Sequence, residues 1–157
     1  MDVSIRLLEE EDAKISYLWR RNPEIWKYTG AKPTDEITYE IEKEWIQKVL
    51  KREDEIRFAI CVGSKNEYVG NVQLTNITKT DAEFHIFVGN KDFHNKGIGT
   101  KAANLILNYS DKVLKLKMVY LFVNKNNSAA IKSYEKCGFF EIERNKEQLK
   151  LIINLNK

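Results

Sequence analysis

The sequence predicts a mixed α/β fold (an α+β arrangement) in one domain spanning residues 1–157: a mainly antiparallel central sheet of about seven strands, flanked by about four helices. Three observations predict it. Between residues 56 and 88, three strand-like runs are separated by the turn signals Gly63-Ser64-Lys65-Asn66 and Lys79-Thr80-Asp81, the pattern of an antiparallel meander. Beyond residue 97 helical and strand periods alternate, so one connection crosses over the sheet. At the junction between these halves, Gly97 and Gly99 bracket a tight turn that runs straight into a helical pattern.

Taken in order, residues 3–8 alternate and read as a strand. Glu9-Glu10-Glu11-Asp12 then suits a helix N-terminus, where carboxylates face the positive end of the helix dipole. Ala13, Ile15, Leu18 and Trp19 supply that helix with an apolar face, and Asn22-Pro23 ends it. Residues 25–28 are a short aromatic connector and residues 29–33 a loop. Thr34 or Asp35 is expected to cap a second helix carrying Ile37, Ile41, Trp45, Ile46, Val49 and Leu50, with its Glu- and Lys-rich face in water. Residues 56–62 and 68–75 form a returning pair of strands. The central strand follows at 82–88, where Phe84, Ile86 and Val88 alternate with Glu83, His85 and Phe87. Ala102, Ala103, Leu105, Ile106 and Tyr109 mark the crossover helix, 118–123 the next strand, and 127–136 a last helix with Gly138 as its left-handed terminator. Residues 139–143 and 149–155 close the sheet.

Composition bounds the function. The chain is 43% hydrophobic and 31% charged, a globular balance, and its net charge of +3 is too small to argue for nucleic acid. No run reaches membrane-spanning length, and the first residues lack the basic and apolar regions of a secretory signal. Two cysteines and two histidines suggest neither a disulfide framework nor a metal site. The expectation is a cytoplasmic protein with no metal, no nucleic acid and no membrane among its partners.

The glycine turn leaves the first N–H groups of its helix unpaired and facing outward, which favours an anion, most naturally a phosphate. Lys96 adds positive charge there. Three phosphate loops compete. A Walker loop started at Gly89 would need glycine where His94 stands, so it fails. The dinucleotide pattern Gly-x-Gly-x-x-Ala fits Gly97 to Ala102, but the acidic residue required about 20 positions on is missing from residues 117–122. The third is a coenzyme A pyrophosphate loop.

At this point the chain resembles the GCN5-related N-acetyltransferase (GNAT) superfamily. His94-Asn95-Lys96-Gly97-Ile98-Gly99 resembles that family's Gln/Arg-x-x-Gly-x-Gly/Ala loop, departing only at its first position, where His94 could donate to a phosphate or be an exposed turn histidine. Asn127 to Phe139 resembles its Asn-x-x-Ala-x-x-x-Tyr-x-x-x-Gly-Phe segment. The flavour is that of the branch holding ribosomal-protein, spermidine and amino-sugar acetyltransferases. The resemblance implies a GNAT-like sheet and direct transfer of an acetyl group from acetyl-CoA to a primary amine of a small molecule or peptide N-terminus, with dimers common. It implies that Asn95 to Thr100 cradle the pyrophosphate, that the backbones of Ile86, Phe87 and Val88 pair with the pantetheine arm, that Asn127 contacts CoA while also suiting a helix N-cap, and that Tyr134 protonates the leaving thiolate.

Acetyl transfer needs a proton removed from an amine whose pKa is near 10.4, and a proton or positive field for the thiolate. Glu83, with His85 on the same face of the central strand, is the candidate to take the proton or to hold the ammonium. The resemblance places the acceptor pocket around the first two helices and their loop, with Trp26, Tyr28 and Lys32 as candidate lining beside Glu83 and His85. Polyamine acetyltransferases tend to place acids in this loop. This chain has Gly30-Ala31-Lys32-Pro33, which favours an acceptor bearing a carboxylate or phosphate over spermidine, with polyamines kept as the alternative class. A CoA-binding sensor without turnover is the other alternative.

Overall fold

The computed structural model describes residues 1–26 and 36–155. Strands β1 (Val3–Leu7), β2 (Ile56–Val62), β3 (Glu67–Thr75), β4 (Asp81–Val88), β5 (Met118–Asn124), β6 (Phe140–Arg144) and β7 (Gln148–Asn154) form one seven-stranded sheet in the order β1-β2-β3-β4-β5-β7-β6. Among the described residues the α-helices are α1 (Ala13–Arg20), α2 (Tyr39–Leu50), α3 (Ile98–Lys112) and α4 (Ser128–Cys137). The pairs are antiparallel except β4 with β5, which run parallel because α3 carries the chain back across the sheet.

That parallel pair is short. Asp81, Ala82 and Glu83 face Met118, Val119 and Tyr120, and there the pairing stops. β4 continues to Val88 on the far side of the opening and β5 to Asn124. The sheet therefore parts in the middle, with Glu83 and Tyr120 at the last closed position.

Strand alternation sends side chains to two different cores. Phe58, Val72, Leu74, Phe84, Val119 and Leu121 pack with Ile98, Ala102, Ala103 and Ile106 of α3, and Ile131 and Tyr134 of α4 lie against them. Full burial of such aliphatic side chains stabilises by about 1.5–3 kcal/mol each. On the opposite face Ala59, Cys61 and Tyr68 meet Trp19 of α1 and Ile46 of α2, with Phe87 against them.

The first two helices differ from the sequence reading. Ile15, Leu18, Ile41 and Leu50 are largely exposed, and the helices bury Ala13, Ser16, Trp19, Glu42, Ile46 and Val49 instead. The reason is a polar seam. The Glu42 carboxylate accepts from Ser16 Oγ at 2.6 Å and from Arg20 Nε at 3.0 Å, so the acidic face of α2 is partly interior. A helical period cannot tell a carboxylate paired inside from one in water. The cap differs as well: Thr38 Oγ1 accepts the Ile41 N–H at 3.2 Å, while Thr34 and Asp35 lie outside the described residues. Ile37 precedes the helix, and Leu105 of α3 is exposed.

Candidate active site

β4 ends at Val88. A short 3-10 turn, Lys91–Phe93, follows, with the Asn90 side chain accepting from the Asp92 N–H at 3.0 Å. Asn95 (φ +60°) and Gly97 (φ +76°) are both left-handed, and this bends the chain so that α3 starts pointing at the end of β4. Gly97 is the N-cap and offers no side-chain acceptor. The first closing bond runs from the Lys101 N–H to the Gly97 carbonyl at 3.2 Å, which leaves the N–H groups of Ile98, Gly99 and Thr100 without intrahelical acceptors. A Cβ built on Gly97 or Gly99 would meet nothing within 4 Å. Protein packing therefore does not demand glycine at Gly99. What the missing side chains keep open is space in front of the helix N-terminus.

That space is a groove of about 630 Å³, lined by Val88, by residues 93–100, and by Asn127, Ala129, Ala130, Lys132, Ser133 and Lys136. Thr100 Oγ1 and Ser133 Oγ lie 2.8 Å apart and join the first turn of α3 to the middle of α4. Asn127 caps α4, its Oδ1 accepting from the Ala130 N–H at 3.3 Å. Lys132 and Lys136 sit one turn apart on α4 and bring positive charge to the wall facing the glycine loop. They were missed in the sequence, where their four-residue spacing after Asn127 was the available signal. Free helical N–H groups, open glycines and lysines on the facing wall together fit a ligand that carries a pyrophosphate.

The expected cofactor residues do not all meet in this groove. His94 lines it, but its Nε2–H donates to the Val88 carbonyl at 2.6 Å and so ties the loop to the end of β4. The Ile86 side chain faces the large core. Phe87 lies on the other face, edge-on to Trp19 with ring centroids 5.9 Å apart. What Ile86, Phe87 and Val88 share is backbone that β5 no longer pairs.

Tyr134 packs edge-on against Phe84 at 5.8 Å and against Phe139 at 6.0 Å. Its hydroxyl has no hydrogen-bond partner among the described residues, and burial pushes its pKa up to about 12. Glu83 precedes Phe84 and therefore emerges on the opposite face. Its Oε1 accepts from Asn76 Nδ2 at 3.2 Å, and its Oε2 lies 3.1 Å from His85 Nε2. His85 Nε2 is also 3.2 Å from Thr75 Oγ1. Desolvation holds the His85 imidazolium pKa below its usual value, against the pull of Glu83 and with the help of Arg57. The two catalytic candidates thus lie on opposite faces of β4, beside the place where the sheet parts. Tyr28 and Lys32, and the side chain of Trp26, lie outside the described residues. Among the described residues no group of three or more His, Cys, Asp and Glu is placed to hold a metal, and no helix is long and apolar enough to cross a membrane.

Comparison with known proteins adds independent findings. A family model described as an acetyltransferase (GNAT) domain matches residues 2–140. The spermidine N(1)-acetyltransferase of Escherichia coli K12 is 32% identical over 138 residues, covering 87% of this chain and 72% of that protein. The acetyltransferase PseH of Campylobacter jejuni is 25% identical over 140 residues, covering 89% and 84%. Among solved structures, spermidine N-acetyltransferase from Vibrio cholerae in complex with CoA and spermine superimposes with a TM-score of 0.85 at 26% identity, over 97% of this chain and 95% of that one.

Proposed function

The chain belongs to the acetyltransferase (GNAT) family, and on that premise we propose that its glycine-loop groove holds acetyl-CoA while Glu83 and Tyr134 serve direct transfer of the acetyl group to the primary amine of a small molecule. The observation that carries the reading is the parting of β4 from β5 just beyond Glu83, beside a groove that ends in an open helix N-terminus.

Acetyl-CoA, when bound, supplies a thioester carbonyl as the electrophile. The N–H groups of Ile98, Gly99 and Thr100 hold the pyrophosphate, with Lys96, Lys132 and Lys136 adding charge around it. The free edge of β4 from Ile86 to Val88 aligns an extended amide-bearing arm in the manner of an added strand. Holding both reactants at the opening removes much of the entropic barrier, worth up to about 7–11 kcal/mol in well-oriented cases. On the α1/α2 face Glu83 accepts the ammonium proton, directly or through a water, with Asn76 and His85 fixing its carboxylate.

On the other face Tyr134 gives its proton to the departing sulfur. At a pKa of about 12 the phenol is fully protonated at neutral pH but is a weaker acid than free tyrosine. The same desolvation raises the basicity of a thiolate formed beside it, which narrows the gap. The unpartnered hydroxyl is free to make that contact.

Calorimetric titration with acetyl-CoA, CoA, NAD and ATP tests the groove, and thiol release with an amine panel tests the reaction. Spermidine heads the panel because spermidine acetyltransferases of E. coli and V. cholerae are relatives. The contrary preference for an anionic acceptor rested on Lys32, outside the described residues, so an amino-sugar nucleotide and a peptide are the comparison arms. Micromolar acetyl-CoA binding with amine-dependent thiol release is the expected result. Binding without thiol release from any amine would make the protein a CoA sensor, and preferential NAD or ATP binding would overturn the groove assignment.

A further inference from the structure

The acceptor side of the sheet carries a feature that none of the sequence motifs includes. On β5, Val119, Leu121 and Val123 point into the large core, so Tyr120 and Phe122 point to the opposite face, the one that bears Glu83. Tyr120 stands directly across from Glu83 at the last paired position, and Phe122 follows it along the edge of the opening. Their rings lie edge-on with centroids 6.0 Å apart. The small core under α1 and α2 stops at Phe87 of β4 and includes no residue of β5, β6 or β7. Phe122 is accordingly 46% exposed.

A cation already rests on this pair. Lys150 of β7 is the register partner of Phe122, and its Nζ lies 5.1 Å from the Tyr120 centroid and 5.7 Å from that of Phe122. Lys150 makes no ion pair with a carboxylate among the described residues, so the ring faces are its resting place. Carboxylates lie nearby as well: desolvation, with Glu83 and Asp81 adding to it, raises the Tyr120 phenol above its usual value.

We propose that Tyr120 and Phe122 form a cation subsite for the acceptor, one that binds a second ammonium of an aliphatic polyamine while its reacting amine sits at Glu83, and that Lys150 is the resident cation this ammonium displaces. A protonated amine held over two rings is attracted by their electron-rich faces, and more strongly the further it is desolvated. A monoamine reaches Glu83 but leaves Lys150 in place. Selectivity for a second positive charge is then set by two rings and one lysine, all on strands of the rigid sheet.

The proposal rests on the acetyltransferase reading for its choice of probe, and equilibrium binding separates the two. Spermidine and butylamine are titrated calorimetrically into the protein saturated with CoA. The wild type is expected to bind spermidine more tightly than butylamine. Phe122→Leu should weaken spermidine about fivefold and leave CoA and butylamine unchanged, Phe122→Tyr should restore it, and Lys150→Met should tighten it about threefold. Equal spermidine affinity in wild type and Phe122→Leu would overturn the subsite. A loss of affinity in Lys150→Met would also overturn it and make Lys150 an anchor for an anionic acceptor. A change in molar mass with Phe122→Leu, without a change in affinity, would overturn it in favour of contact between two copies. If spermidine binds as expected yet no amine drives thiol release, the subsite stands and the catalytic reading falls.

Discussion

Under α3 and α4 the sheet meets a core of aliphatic and aromatic side chains, and the buried Ser110 there simply returns its hydroxyl to the Ile106 carbonyl of its own helix at 2.7 Å. Under α1 and α2 the same sheet meets Asp12, Ser16, Glu42, Arg57 and Asn71, all buried. Arg6 grips the Asp12 carboxylate with two bonds of 2.7 and 2.9 Å, and Arg57 holds Glu55 at 2.7 Å. Two tyrosines, Tyr68 buried in one layer and Tyr134 partly buried in the other, show the same contrast. Tyr68, on the polar side, donates its hydroxyl to Asn71 Oδ1 at 2.6 Å, and burial holds its pKa far above the usual value. Tyr134, on the apolar side, has a hydroxyl with no such partner. A buried phenol bonded to a neighbour is architecture, whereas one at the edge of an opening that no protein group engages is available for chemistry. The apolar layer thus backs the groove between the start of α3 and α4, while the polar layer shares its sheet face with Glu83, the carboxylate proposed to meet the amine.

Glu42→Ala is expected to have the largest effect. It strips Ser16 and Arg20 of their shared carboxylate and should cost about 3–5 kcal/mol of stability, as breaking a buried ion pair does. Urea unfolding reads this, and a cost below about 1 kcal/mol would show the seam to be solvated. Tyr134→Phe should lower kcat about 100-fold, the low end for a general acid, and leave acetyl-CoA affinity and the melting temperature intact. Unchanged turnover would return Tyr134 to a packing role like that of Tyr68.

Gly99→Val should weaken acetyl-CoA at least tenfold (about 1.4 kcal/mol) with little change in thermal stability, because the added carbons meet only the open groove. A large loss of stability instead would make Gly99 a folding glycine.

The smallest effect concerns pH. His85 is held below its usual pKa, so below about pH 6.5 the unfolded chain takes up a proton that the folded chain resists. The stability from this site is present above that pH and is lost as pH falls toward the depressed folded value. His85→Gln should flatten that part of the stability profile, and an unchanged slope would place the histidine in open water.

Much of the candidate site was legible because its signals are local. Gly97 and Gly99 opened α3 as the turn chemistry required, and Asn127 capped α4 with Gly138 at its end, left-handed at φ +105°. The resemblance added Tyr134 as the proposed acid. Lys132 and Lys136 escaped notice because a lysine pair on a helix reads as solvated surface until the facing wall is known. Ile15, Leu18, Ile41 and Leu50 were expected inside because apolar residues at helical spacing mark a face without saying what covers it.

By itself the sequence determined the order of the elements, the two-residue period that puts Glu83 and His85 on one face, and the glycine turn ahead of α3, all of which follow from residues close in the chain. Only the tertiary structure decided that β4 and β5 part beyond Glu83 and Tyr120, that Glu42 is buried between two helices, that Tyr134 and Glu83 flank the opening from opposite faces, and that Lys150 rests on Tyr120 and Phe122. Each of these depends on which distant segments pair and at what register, and no local pattern of side chains specifies that.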